Sequence, residues 1–202
     1  MRRAFRVIEA IGRCVVWLDE VEKALRGATT GAADGGVSAD ALGAILSWMQ
    51  ERQNEAFVIA IANEVESLPP ELLRKGRFDE VWFVDLPTPR ERVTILEAAL
   101  RAYGRDPGDI GDIGKIAAAC EGFTGSEITA LVPDALFTAF ADGMRTIATD
   151  DLLVAIATVT SLSKTAAEKI SRLREWAKGR ARPANSNVTE ISEQRRVRVL
   201  DL

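Results

Sequence analysis

The run Cys14-Val15-Val16-Trp17-Leu18-Asp19-Glu20 is apolar for five residues and then stops at two carboxylates. An uninterrupted apolar run of this length, rich in β-branched residues, predicts a buried strand rather than a half-exposed one. Two more such runs follow, Phe57-Val58-Ile59-Ala60-Ile61 and Val81-Trp82-Phe83-Val84. Helical segments separate them. Residues 2–12 carry Phe5, Ile8 and Ile11 at a spacing of three, and Ser38 is placed to cap a helix with Leu42, Ile45, Leu46 and Met49 on one face. Strand, helix, strand, helix, strand predicts an α/β unit built on a parallel sheet covered on both faces.

Beyond Pro87 the pattern becomes helical. Thr88-Pro89-Arg90-Glu91 is a capping box with proline at the first helical position, and Thr124-Gly125-Ser126-Glu127 is a second box. Thr149 is placed to cap a third helix, and Thr165-Ala166-Ala167-Glu168 opens a fourth that runs to Arg180. The division expected is residues 1–87 as an α/β unit, 88–163 as an all-helical unit and 164–202 as a basic helix with a loose tail. Residues 164–182 hold seven Lys or Arg against two Glu, although the whole chain has a net charge of −4. Ala184-Asn185-Ser186-Asn187 is polar and expected to be loose, as is the small-residue loop from Gly27 to Gly36.

Composition narrows the chemistry. The 202 residues contain no histidine, which removes His-based triads, Cys-His dyads and His-ligated metals. Two cysteines, Cys14 and Cys120, can build neither a disulfide framework nor a zinc site and are expected in the core. No apolar run reaches the roughly 18 residues of a membrane helix. The expectation is a cytoplasmic protein with no membrane partner. The basic terminal helix lacks interleaved aromatics and argues against nucleic acid.

Three places carry candidate chemistry. Asp19 and Glu20 follow directly on a strand, where open α/β sheets bind ligands. They suit a hydrated divalent cation and a polarised water, but taken alone such a run is more often just a strand ending at a helix whose first turn favours acids. Asn63 ends the second strand and can donate and accept at once, or simply form a turn. Arg74 and Arg77 lie three apart, with Gly76 between them, just before the third strand. They suit anion binding or a solvated surface corner.

The order of these three places resembles the AAA ATPases, over residues 2 to 182. Asp19-Glu20 is similar to the Walker B element, Asn63 to sensor 1, and Arg74 and Arg77 to arginine fingers. Gly122-Phe123-Thr124-Gly125-Ser126-Glu127-Ile128 is similar to the lid motif beside the nucleotide. Leu46-Ser47-Trp48-Met49-Gln50-Glu51 and Leu72-Leu73-Arg74-Lys75-Gly76-Arg77-Phe78-Asp79-Glu80 resemble the uncharacterised plastid and cyanobacterial AAA proteins. The resemblance implies a partial AAA-type parallel sheet followed by an all-α lid. It implies ATP as substrate with Mg²⁺, Asp19 as metal and nucleotide ligand, and Glu20, Asn63, Arg74 and Arg77 as catalytic residues. Gly125 and Ser126 would line the nucleotide site. It further implies a ring, often a hexamer, acting on a macromolecular client in the cytoplasm or plastid stroma.

One element of that family pattern is missing. The 202 residues contain no Gly-rich P-loop with its lysine. The segment Gly108-Asp109-Ile110-Gly111-Asp112-Ile113-Gly114-Lys115-Ile116 fails the pattern, with Asp109 where the first glycine belongs and Ile116 where Ser or Thr belongs. It reads as a loop and a helix start. The expectation is an ATPase module truncated at its N-terminus. The alternative is a non-catalytic AAA-like subunit that supplies arginine fingers or a regulatory surface.

Overall fold

The computed structural model describes residues 2–25, 35–51, 55–74 and 76–185. Residues 27–34 of the loop expected from Gly27 to Gly36 and the tail from Ser186 lie outside them, whereas Gly35 and Gly36 open a helix instead of ending a loop. The chain divides into two compact units, Met1–Val81 and Trp82–Leu202.

The first unit contains α1 (Arg2–Ile11), β1 (Val15–Leu18), α2 (Val21–Leu25), α3 (Gly35–Glu51) and β2 (Phe57–Ala60). β1 and β2 are parallel, with Val15 opposite Phe57 and Leu18 opposite Ala60. The core gathers Phe5, Val16, Leu25, Ile45, Trp48 and Leu72. Phe5 stacks on Trp48 with ring centroids 4.6 Å apart, so Trp48 is a packing residue. Two expectations fail here. α3 begins at Gly35, so Ser38 lies inside the helix rather than at its cap. The strands are not buried on both faces: Val16 is 8% exposed, whereas Val15 is 66%, Trp17 60% and Phe57 67% exposed. Side chains alternate along a strand. Val16 and Val58 turn toward the helices, and nothing among the described residues covers the opposite face.

The second unit holds β3 (Trp82–Phe83), α4 (Pro89–Ala102), α5 (Ile113–Ala119), α6 (Gly125–Ala141), α7 (Thr149–Thr158), α8 (Leu162–Thr165), α9 (Ala167–Ala177) and β4 (Arg182–Pro183). Both capping boxes form as expected, Thr88 with Glu91 and Thr124 with Glu127. Glu127 also accepts the Leu162 N–H at 2.8 Å, tying the start of α6 to α8. Gly122 has φ +81°, and a Cβ there would run into the Ser163 hydroxyl, so this turn requires glycine. Of residues 108–116, Gly108 and Asp109 close a short 3-10 turn that begins at Pro107, and the rest lead into α5, where Asp112 takes the Lys115 N–H.

Thr149 is not a cap. It is the first residue of α7, and its hydroxyl donates to the Ile110 carbonyl while accepting from Asp112 N–H. Nor does one helix run from Thr165 to Arg180. Ala166, at φ −124°, separates α8 from α9, which ends at Ala177.

Part of the expected loose tail is fastened. β4 pairs parallel with β3, and Ala184 N–H donates to the Phe83 carbonyl. Asn185 accepts from Asp85 N–H and donates to Glu91 and the Leu86 carbonyl. Arg174 grips Asp85 through two guanidinium nitrogens at 2.8–3.0 Å. The helical core of Leu96, Leu100, Ile116, Ile128, Leu131 and Leu152 is fully enclosed. Cys120 belongs to that core, and burial pushes its thiol up to about 11, with the Arg92 charge opposing.

Candidate functional site

Asp19 and Glu20 leave the carboxyl end of β1, and Asn63 leaves that of β2. Three hydrogen bonds stitch the two exits together. Ile61 N–H donates to Leu18 O at 2.8 Å, and Val21 N–H returns to Ile61 O at 3.0 Å. Asn63 N–H donates to Glu22 Oε1 at 3.2 Å. The turn therefore brings the Asp19-Glu20 pair and Asn63 to one end of the two-stranded sheet. Glu20 adopts φ +48°, a left-handed conformation that costs a non-glycine residue about 1–2 kcal/mol. Such strain gathers where side chains are held for function. Its carboxylate lies 2.5 Å from Lys23 Nζ.

Asp19 is exposed. No group of three or more Asp, Glu, Cys or His residues that could hold a metal exists among the described residues. The exposed carboxylate of Asp19 would fit only an ion that keeps several waters and binds through one or two carboxylates plus phosphate oxygens, as Mg²⁺ does.

Arg74 ends, and Arg77 follows, a tight turn in which the Leu72, Leu73 and Arg74 N–H groups bond back to the Pro69, Pro70 and Glu71 carbonyls. Arg74 is exposed, whereas Arg77 is half-buried and donates to the Glu71 carbonyl of its own turn. Gly125 and Ser126 belong to the second unit. They line an open depression of about 640 Å³ with Ile95, Tyr103, Thr129 and Ala130.

Two residues of the turn were not singled out from the sequence. Glu22 is 1% exposed and holds the Asn63 backbone, and Lys23 holds Glu20. The spacing Asp19-Glu20-Val21-Glu22 was the available signal. Its meaning depends on the register with β2, which no local pattern carries.

Residues 1–86 match the ATPase family associated with various cellular activities (AAA), and residues 111–154 match the AAA+ lid domain. The chain is 37% identical over 186 residues to an uncharacterised AAA domain-containing protein, ycf46, of Pyropia yezoensis. That alignment covers 92% of this chain and 37% of the relative, so the chain spans a little over a third of the relative's length. It is 31% identical over 159 residues to ATP-dependent zinc metalloprotease FtsH 2 of Sphaerobacter thermophilus, covering 77% of this chain and 24% of that protein. The crystal structure of the FIGL-1 AAA domain in complex with ADP superposes with a TM-score of 0.67 at 16% identity, over 89% of this chain and 63% of that one. The α/β unit, the helical lid and the two family matches agree: the chain belongs to the AAA family of ATPases.

Proposed function

We propose that this chain is the Walker B, sensor and lid part of an ATP-hydrolysing AAA module that works as a ring on a macromolecular client. The observation that carries the reading is the stitched turn, in which Asp19, Glu20 and Asn63 leave adjacent parallel strands at one end of the sheet. Asp19 would hold Mg²⁺, which when bound neutralises charge on the phosphates. Glu20 would accept a proton from the attacking water, and Asn63 would orient that water by donating and accepting. Arg74 and Arg77 would meet the phosphates of a neighbouring subunit, and Gly125 and Ser126 would line the nucleotide side of the lid.

Glu20 serves as base only after it leaves Lys23, and Arg77 serves as a finger only after it leaves the Glu71 carbonyl. The Glu20–Lys23 side-chain pair is exposed and of a kind worth little, so it is weak enough to exchange.

The 202 residues contain no Gly-rich P-loop sequence with its lysine and are expected to bind Mg-ATP poorly by themselves. The test is a fusion that places a P-loop-bearing AAA segment before Arg2. Phosphate release from ATP that depends on Mg²⁺ and falls in Asp19→Asn supports the reading. A fusion that binds ATP but hydrolyses none contradicts it.

A further inference from the structure

The ladder between β1 and β2 runs through Phe57 N–H to Cys14 O and Ile61 N–H to Leu18 O. Continued in register, the ladder would carry Glu20 N–H to Ile61 O and then Asn63 N–H to the Glu20 carbonyl. Neither bond forms, because Val21 N–H takes Ile61 O in place of Glu20 N–H. Glu20 turns into the left-handed region, and its carbonyl is taken at 2.9 Å by Lys23 N–H in the first turn of α2. Asn63 N–H is left without its ladder acceptor at the point where its side chain matters. The Glu22 carboxylate supplies the acceptor instead, at 3.2 Å.

That substitution is costly. Glu22 is 1% exposed, and its other oxygen, Oε2, is buried with no hydrogen-bond partner among the described residues. A buried carboxylate with an unsatisfied oxygen loses hydration that one hydrogen bond does not restore. An acid in the first turn of a helix gains from the dipole while exposed, so the dipole does not account for burial. Fixing the Asn63 backbone does account for it.

We propose that Glu22 is a positioning residue for ATP hydrolysis, standing in for the lost rung and so fixing Asn63 relative to Glu20. The proposal rests on the ATPase reading above. Glu22 touches neither the water nor the nucleotide and acts through the Asn63 main chain. A water-orienting amide has to sit within a fraction of an ångström of its working position, so slack in its backbone lowers the rate of the chemical step more than nucleotide affinity.

Two measurements test it. In the 202-residue chain, amide hydrogen exchange is compared between wild type, Glu22→Leu and Glu22→Gln. Leucine keeps bulk and removes the acceptor, whereas glutamine keeps an acceptor oxygen. Glu22→Leu should speed exchange at Asn63 about tenfold or more, while Ile61, on the intact rung, stays within about threefold of wild type. In the P-loop fusion, Glu22→Leu should lower kcat about tenfold or more with KM for ATP changed by less than about threefold, and Glu22→Gln should recover about fivefold of that loss. Unchanged Asn63 exchange in Glu22→Leu, or kcat within about twofold of wild type, overturns the proposal. So does a glutamine variant as slow as the leucine one. A wild-type fusion with no turnover refutes the ATPase reading instead, and the exchange comparison then decides by itself whether Glu22 holds Asn63.

Discussion

The Glu20 carboxylate rests 2.5 Å from Lys23 Nζ, three residues ahead on the same turn. Lys23 N–H also bonds the Glu20 carbonyl, so one residue engages both the side chain and the main chain of the other. The side chains are 40% and 59% exposed. Exposed pairs of this kind are worth about 0–1 kcal/mol, little enough for Glu20 to exchange lysine for a water. Lys23→Met should therefore shift stability by less than about 1 kcal/mol. Turnover of the P-loop fusion should hold or rise, because a competitor for the base is gone. Thermal unfolding and phosphate release check both halves, and a large loss of turnover would make Lys23 part of the machinery.

The left-handed backbone of Glu20 makes a second prediction. Glycine has no Cβ to clash at φ +48°. Glu20→Gly should stabilise the folded chain by up to about 1 kcal/mol while removing hydrolysis in the fusion. Denaturant midpoints measure the first effect. A clear destabilisation would mean that Glu20 contributes packing that outweighs its strain.

In the lid, Asp151 is 6% exposed and takes two bonds from Arg145, at 2.6 and 2.7 Å, plus the Ala148 N–H at 2.8 Å. The Arg145 hydrogen bonds hold its carboxyl below the usual range, with the Ala148 N–H helping and burial opposing. The unfolded state thus binds this proton more readily than the folded one. The stabilisation is complete above the unfolded value of about 3.9 and is lost as pH falls through the lower folded value. Lid stability should fall below about pH 4, and Asp151→Asn should flatten that dependence while costing about 1–3 kcal/mol at pH 7. Melting temperatures from about pH 3 to 7 provide the check.

The arginines predict complementation. Arg77→Ala in the P-loop fusion should cut turnover by about tenfold or more while leaving monomer nucleotide affinity nearly intact. Arg77→Lys should rescue poorly, because an ammonium lacks the planar fork. Mixed with Glu20→Gln subunits, Arg77→Ala subunits should recover activity, since a mixed interface can pair intact Glu20 with intact Arg77. Co-assembled rings with no recovery would place catalysis within one subunit.

What could be read in advance was local. Thr88 with Glu91 and Thr124 with Glu127 were legible because a capping box closes within four residues. Asp19, Glu20 and Asn63 were legible as strand exits because apolar runs end where they do. Thr149 misled because a threonine before acids marks a helix start to within one residue only, and its hydroxyl serves Ile110 and Asp112 instead. The bare faces of Val15, Trp17 and Phe57 were not legible, since burial depends on what covers a sheet rather than on the strand. Asn185, nearly a hundred residues from Asp85 and Leu86, and Glu22, set by the register with Asn63, depend on contacts far apart in the chain.

The most direct test separates binding from hydrolysis at Glu20. In the P-loop fusion, Mg-ATP affinity by calorimetry and single-turnover phosphate release are measured for wild type and Glu20→Gln. An amide keeps the shape of the side chain but cannot accept the water's proton. The account predicts affinity within about threefold of wild type and hydrolysis reduced by about a hundredfold or more. Hydrolysis within a few fold of wild type, with binding intact, would contradict the assignment of Glu20 as the base and with it the account of this turn.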